Sequence, residues 1–351
     1  MMDLLDTMLQ NTGEWLRDAE DDAGIVISSR VRLARNLADF PFSSRLSEEE
    51  RRLVARRLTR VVSECPGCQA FPTFSMEELD ESDRLFLVER HLISRELADG
   101  QGARCVMVSP GEECSVMINE EDHLRIQVVK SGFRLEAAWE EIDALDDQIE
   151  SRVVYAWHPQ LGYLTACPTN VGTGMRVSLM LHLPALVMTK EFVRTHQSLQ
   201  KISLAVRGLY GEGSQALGDF YQISNQTTLG IAEHDLLKMV VDVVGSVIGY
   251  ETRAREHLLK ENKPHLLSEI QQSIVMLRTA DSLTLEETLQ CLSRIRMGVQ
   301  MGLISDIPIT LVNSLFMNTQ PAHLERIYGG VFSSFDANIF RAQYLQKQLR
   351  S

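Results

Sequence analysis

The 351-residue sequence lacks any continuous apolar run near the ~18 residues that a membrane-crossing helix needs, so no span is expected. Its opening segment, Met1–Trp15, is acidic and repeatedly interrupted by polar side chains, so no secretory leader is expected either. Cysteine is scarce: six thiols in the whole chain argue against a disulfide framework and fit a reducing cytoplasm. Basic charge is also in deficit, with 35 Lys and Arg against 48 Asp and Glu and a formal charge of −13. A surface built for nucleic-acid backbones carries the opposite sign, which argues against a nucleic-acid partner. The common nucleotide signatures are missing as well. No G-x-x-x-x-G-K-[ST] occurs, which excludes a P-loop, and no H-R-D or D-F-G segment points to an ordinary protein-kinase domain. Cys65-Pro66-Gly67-Cys68 is a lone C-x-x-C with no second pair nearby, and no metal site is expected.

What is present reads as a globular protein with room for one large domain and a smaller one. A short amphipathic helix and turn are predicted within residues 1–23, and Gly24–Ser29 reads as a buried strand. A helix is predicted over Glu48–Ser63, where Ser47 and Glu50 have capping-box spacing and Leu53, Val54, Leu58, Val61 and Val62 form a stripe. A second helix is predicted over Leu85–Leu97. Short strands follow at Arg104–Val108, Ser115–Ile118 and Leu124–Lys130, then a helix at Glu136–Glu150 and a strand at Val153–Ala156. Helices are predicted at Val177–Leu183 and Glu233–Leu258. From about residue 265 the pattern is helical, with a second capping box at Thr284 and Glu287. Strands separated by helices of uneven length indicate an α+β fold. Glu261–Pro264 is polar, ends in proline and reads as a linker, which gives domains of 1–260 and 261–351.

Arginines sit at the ends of apolar segments. Arg30 and Arg32, in Ser28-Ser29-Arg30-Val31-Arg32, share one face of a strand because strand side chains repeat every two residues. Arg125 follows Asn119-Glu120-Glu121-Asp122-His123-Leu124. Arg176 follows Cys167-Pro168-Thr169-Asn170-Val171-Gly172-Thr173-Gly174-Met175, and Arg207 opens Arg207-Gly208-Leu209-Tyr210-Gly211-Glu212-Gly213. One arginine is usually a solvated surface group. Five in glycine- and strand-rich contexts suggest a polyphosphate clamp, because the planar guanidinium fork matches phosphate oxygens in pairs. Gly172-Thr173-Gly174 alone reads as a tight turn before a helix.

These motifs, in this order, resemble the phosphagen kinases, the creatine and arginine kinases, over roughly residues 24–255. The resemblance implies a glutamine-synthetase-like antiparallel sheet flanked by helices, here followed by a small C-terminal helical domain, with Mg-ATP held by arginines. Carried across, Arg30, Arg32, Arg125, Arg176 and Arg207 would grip the phosphates, with Ser28, Ser29 and Val31 beside them. The segment of Val177, Ser178, Leu179 and Met180 would line the nucleotide site, although Val177 and Leu179 also suit a core. Gly208, Leu209, Tyr210, Gly211 and Glu212 match the family's specificity-loop region. His91 has two readings, a histidine beside the adenine or a partly buried helix histidine.

The acceptor imposes its own demand. A protonated guanidinium has no lone pair with which to attack phosphorus, so a site must orient it and take a proton as the bond forms. Glu121 and Glu212 match the two glutamates that hold the guanidinium in arginine kinases. Glu120 and Asp122 are set aside because alternation along a strand would turn them away. Cys167 matches the family's reactive cysteine, with a supporting role through thiolate character.

The small-molecule members carry a helical domain before the Ser-Ser-Arg-x-Arg strand. Here that motif starts at Ser28, so no such lid is expected and an arginine within a polypeptide would have access. Together with Tyr221–Gly230, this arrangement resembles the bacterial protein arginine kinases over nearly the full length. That resemblance implies protein substrates with exposed arginines, a homodimer, a zinc-binding activator protein and delivery to a Clp-type ATPase and protease. One departure stands out. The family's Arg-Asp-x-x-Arg-Ala segment, which reads phosphoarginine, is replaced by Ala337-Asn338-Ile339-Phe340-Arg341-Ala342. Arg341 could still pair with a phosphate or could be an exposed residue at a helix end. A kinase of free guanidines and a silent, kinase-like adaptor are the competing functional readings.

Overall fold

The structure is a computed structural model that describes residues 2–17, 24–200, 204–208 and 217–350. In chain order, α1 (Met2–Leu9) precedes β1 (Val26–Arg35), α2 (Glu48–Ser63), β2 (Thr73–Ser75), α3 (Glu81–Glu89) and α4 (Arg95–Asp99). Then come β3 (Cys105–Val108), β4 (Cys114–Ile118), β5 (Leu124–Ser131), α5 (Leu135–Glu150), and the small pair β6 (Trp157–His158) and β7 (Gly162–Tyr163). The rest comprises β8 (Met175–His182), α6 (Pro184–Met188), α7 (Phe192–Gln200), β9 (Leu204–Gly208), β10 (Phe220–Asn225), α8 (Glu233–Thr279), α9 (Leu285–Gln300), α10 (Ile309–Asn318), α11 (Pro321–Tyr328) and α12 (Ser334–Leu349). An eight-stranded sheet runs in the order β2-β3-β4-β5-β1-β8-β10-β9, and the registered pairs β1–β5, β2–β3, β3–β4 and β4–β5 are antiparallel. This is the α+β sheet flanked by helices that the sequence predicts.

Both capping boxes are present. Ser47 Oγ accepts from Glu50 N while Glu50 Oε2 accepts from Ser47 N at 2.9 Å, and Thr284 and Glu287 repeat the exchange. These exchanges satisfy backbone donors that the first helical turn leaves free. Of the predicted α2 stripe, Val54, Leu58, Val61 and Val62 are buried, and Leu53 is exposed.

Four local expectations are corrected. Leu85–Leu97 is two helices, because the chain turns at His91 (φ 59°) and restarts under the Ser94 N-cap, whose Oγ accepts from Leu97 N at 3.1 Å. Val177–Leu183 is not helical: Met175–His182 is a strand in which polar Arg176, Ser178 and His182 alternate with apolar Met175, Val177, Leu179 and Leu181, a period of two that the helical reading from Val177 onward left out. Val153–Ala156 forms only an isolated bridge, Leu37 to Tyr155, and the hairpin strands lie just beyond at β6 and β7. The linker at Glu261–Pro264 lies inside α8, where Asn262 (φ −143°) leaves helical geometry. Pro264 has no N–H for the carbonyl four residues back and its ring crowds that turn, which places the break there.

Packing divides the chain into two compact units, one of residues 28–179 and 224–242 and one of 1–27, 180–223 and 243–351. In the first, Ile126, Val128, Val31 and Leu33 face the apolar side of α5 through Ala138, Ile142 and Ile149, all buried. The second buries Trp15 edge-on against Phe220, at a 6.4 Å centroid separation, and Phe220 against Phe316 at 4.9 Å. It also buries a polar chain. Asp219 Oδ2 accepts from Ser293 Oγ at 2.6 Å, Ser293 meets His182 Nε2 at 2.9 Å, and Arg296 Nη1 lies 3.1 Å from His182 Nδ1 and donates to Gly24 O.

Candidate active site

The register of β1 on β5 pairs Arg30 with Val129, Arg32 with Gln127 and Ala34 with Arg125. Residues directly opposite in an antiparallel pair share a face, so Arg30, Arg32 and Arg125 project from the same side of the sheet. β8 adds Arg176 to this side: Arg30 Nε donates to Ser178 Oγ at 3.3 Å, and Arg176 Nη2 reaches Ser224 Oγ of β10 at 3.5 Å. Arg32 feels all three of the others. Burial, and then the like charges of Arg30, Arg125 and Arg176, push its pKa well below the ordinary value, while Glu120 opposes them. Its Nε is buried with no hydrogen-bond partner among the described residues. Four guanidinium groups set this closely form a cradle for a polyanion.

Of the other predicted lining residues, Ser29 Oγ donates to Gly132 O and accepts from Arg134 N, both at 2.8 Å, a structural use. Ser28, Val31, Val177, Leu179 and Met180 are buried. His91 lies over the same face, since Gln127 Nε2 donates to His91 O at 2.7 Å. Burial and the Arg30 charge hold its imidazole neutral, with a pKa down to about 3. A neutral ring suits stacking on a base better than gripping a phosphate.

Arg125 joins this cradle to a pair of carboxylates. Its Nη1 donates to Glu120 Oε1 at 2.5 Å and its Nη2 to Glu121 Oε2 at 3.1 Å. Glu120 is buried and also accepts from Ser94 Oγ and Glu121 N, whereas the Glu121 side chain is 41% exposed. Burial, opposed by Arg125 and reinforced by Asp122 and Glu120, pushes the Glu121 carboxyl above its usual range. Residues 119–123 form the turn between β4 and β5, entered through Asn119 at φ 58°, so strand alternation does not set their directions. Glu120 and Asp122 are instead committed to buried partners. Asp122 Oδ1 accepts from Asn36 Nδ2 and Ala166 N, both at 2.6 Å, which ties this turn to the segment carrying Cys167.

Cys167 is half-buried, 3.0 Å from Thr169 Oγ1. The following glycine loop is sterically determined. A Cβ on Gly174 (φ 64°) would lie 2.6 Å from Ala34 O, and one on Gly172 (φ 118°) 2.8 Å from Leu229 Cα. The loop leads into a strand rather than the expected helix. Arg35, absent from the sequence-based set, anchors it: Arg35 donates to Thr173 O at 2.8 Å and to Asp146 at 2.6 and 3.0 Å, with its guanidinium 3.7 Å from the Tyr163 ring centre. Asn225, also missed as a site residue, accepts from Val177 N and donates to Met175 O, fixing the strand that carries Arg176.

In the other unit, Arg207 is half-buried on β9, next to Gly208. Leu209, Tyr210, Gly211 and Glu212 lie outside the described residues. Arg341 is buried, not exposed: its Nε donates to Thr319 O and its Nη1 to Leu283 O, each at 2.9 Å, and Nη1 also donates to Asn338 Oδ1 at 2.8 Å. Among the described residues, no group of His, Cys, Asp or Glu could hold a metal ion, and no helix is long and apolar enough to cross a membrane.

The fold is that of enzymes that phosphorylate guanidines. A solved lombricine kinase superposes with a TM-score of 0.58 at 25% identity, over 70% of each chain. The duplicated taurocyamine kinase of Schistosoma mansoni gives 0.60 at 23% identity, over 77% of this chain and 42% of that one. The sequence profile described as ATP:guanido phosphotransferase, C-terminal catalytic domain, matches residues 54–254, and that of the protein-arginine kinase McsB C-terminal domain matches 263–351. The protein-arginine kinase of Clostridium acetobutylicum is 43% identical over 96% of this chain and 99% of its own. That of Bacillus licheniformis is 39% identical over 99% and 96%. The chain belongs to the ATP:guanido phosphotransferases, in the branch of the protein-arginine kinases.

Proposed function

We propose that this chain transfers the γ-phosphoryl group of ATP to the guanidinium of arginine residues in proteins. The observation that carries the reading is the Arg30, Arg32, Arg125 and Arg176 cluster, joined through Arg125 to the half-exposed Glu121. The unsatisfied Arg32 Nε fits this use, since a phosphate oxygen supplies the acceptor it lacks. ATP and Mg²⁺ are the implied reactant and its counter-ion. The metal, carried on the phosphates, would neutralise charge there.

The arginines bind the phosphates and stabilise charge that builds on them during transfer. His91, neutral and beside Arg30, offers an uncharged surface for the base. Glu121, with its raised pKa, is the group to orient the acceptor guanidinium and take its proton, because a carboxylate of higher pKa is a stronger base. Glu212 is proposed as the second carboxylate, Arg207 as a further phosphate ligand and Cys167 as a supporting group near the acceptor. A catalytic part of 1–260 and a helical part of 261–351 are supported by the two profile matches and by the break at Asn262. A cytoplasmic location rests on the scarcity of cysteine and the acidic, polar opening segment; a homodimer, a zinc-binding activator and a Clp-type ATPase rest on the family resemblance alone.

The test is incubation with Mg-ATP and either an unfolded arginine-rich protein or free arginine, followed by mass spectrometry under non-acidic conditions that preserve the P–N bond. Phosphate on protein arginines is the expected product. Phosphate on free arginine alone would assign a small-molecule kinase, and transfer to neither would point to a silent site.

A further inference from the structure

The β6–β7 region carries surface that phosphoryl transfer to a bare guanidinium does not need. Val154 and Trp157 are 69% and 57% exposed. They line an open groove of about 680 Å³ together with Ala38, Ala156, Leu164 and Glu150. Exposed apolar residues scattered singly are ordinary, but two on the walls of one groove form a patch. Tryptophan in particular is enriched among the residues that dominate binding.

Hydrogen bonds connect this groove to the acceptor side of the site. Ala156 N donates to Asn36 O at 2.7 Å, and Leu164 N donates to Ala156 O at 2.8 Å. Asn36 Nδ2 then donates to Leu164 O at 3.0 Å and to Asp122 Oδ1 at 2.6 Å. Asp122 directly follows Glu121 in the chain. Ala166, which donates to the same Asp122 oxygen, directly precedes Cys167. The groove wall is therefore linked through Asn36 and Asp122 to the turn that carries Glu121, the proposed proton acceptor.

We infer that this groove is a subsite for the polypeptide that bears the target arginine, taking a large apolar side chain a few residues away from it. The inference rests on the protein-arginine reading and adds a sequence preference to it. An extended chain advances ~3.3 Å per residue, so a residue a few positions from the target arginine is the natural occupant of a groove linked in this way to the acceptor turn. Glu150 on the wall, held by the Tyr163 hydroxyl at 3.3–3.4 Å, disfavours an acidic flanking residue by like charge.

The experiment compares two peptides, one with arginine flanked by glycine and serine and one with leucine and phenylalanine in the flanks. Each is assayed with the full chain, with Trp157→Ser and with Val154→Asp. Both substitutions are at exposed positions, and equal thermal unfolding checks their folding. The unsubstituted chain should prefer the apolar peptide by ~10-fold or more in kcat/KM, mainly through KM, as expected from burying one large apolar side chain. Each variant should erase the preference without altering kcat/KM for the glycine-serine peptide or KM for ATP. No preference in the unsubstituted chain, or a preference that survives both substitutions, overturns the subsite. A chain that phosphorylates free arginine but neither peptide defeats the protein-arginine reading itself, and the subsite with it.

Discussion

Replacing Arg32 by methionine should move two properties in opposite directions. Arg32 is half-buried with its Nε fully covered, lies among three like charges opposed by Glu120, and its Nε has no partner among the described residues. Methionine fills a similar linear volume and removes the charge. Substituting a poorly compensated, largely covered ion with an apolar side chain is neutral or stabilising by up to ~1–4 kcal/mol. At ~2 °C per kcal/mol for a chain of this size, the unfolding midpoint without nucleotide should rise by ~2–8 °C. Nucleotide binding should suffer instead. Losing a pair of charge-assisted hydrogen bonds costs ~3 kcal/mol, a ~100-fold rise in Kd for Mg-ATP. Thermal unfolding without nucleotide and calorimetric titration with Mg-ATP read the two effects separately. A lowered midpoint together with unchanged ATP affinity would refute the reasoning, because Arg32 would then be a structural ion and its cluster no anion cradle.

Three further outcomes are expected. Glu121→Gln should lower turnover by ~10²-fold or more with little change in KM for ATP. Because the Glu121 pKa is raised, its ionised form is disfavoured by the fold, and the rate should climb as pH rises through that pKa. The glutamine variant should lose this limb, and a pH profile that keeps it excludes Glu121 as the base. Gly174→Ala forces a Cβ to within 2.6 Å of Ala34 O at φ 64°, so a loss of ~1–3 kcal/mol in chemical denaturation is expected. Arg341→Ala strands two buried carbonyl acceptors, Thr319 O and Leu283 O, and should cost ~2–4 kcal/mol in the same assay. If instead stability is unchanged and only phosphoarginine binding falls, Arg341 is a ligand-reading residue rather than a structural one.

Features governed by near neighbours in the chain were legible in the sequence. The capping boxes at Ser47–Glu50 and Thr284–Glu287 need only residues three apart, and α2 needs only its own apolar spacing. Arg30 and Arg32 fall on one face through strand periodicity alone. Motif order was enough to indicate the family and the antiparallel α+β sheet. The helical reading failed at Met175–His182, because it began at Val177 and left out Arg176, which with Ser178 and His182 alternates against Met175, Val177, Leu179 and Leu181 at the period of a strand. It failed again at Arg35. Three residues beyond Arg32 and chemically identical to it, Arg35 lies on the opposite face and is held by Asp146 from α5.

The sequence by itself determined which groups are available: guanidinium forks, carboxylates next to them, and glycines where the backbone must turn. Tertiary structure alone decided which of those groups bear strain and which are satisfied. Arg32 is crowded by like charges and Arg341 is held by carbonyls, yet both are simply arginines in the chain. Glu121 is half-exposed with a raised pKa, while Glu120 beside it is buried against Arg125 and Ser94. The physical reason is that the energy of a charge depends on burial and on partners within a few ångströms, and those partners are supplied by strands and helices distant in the sequence.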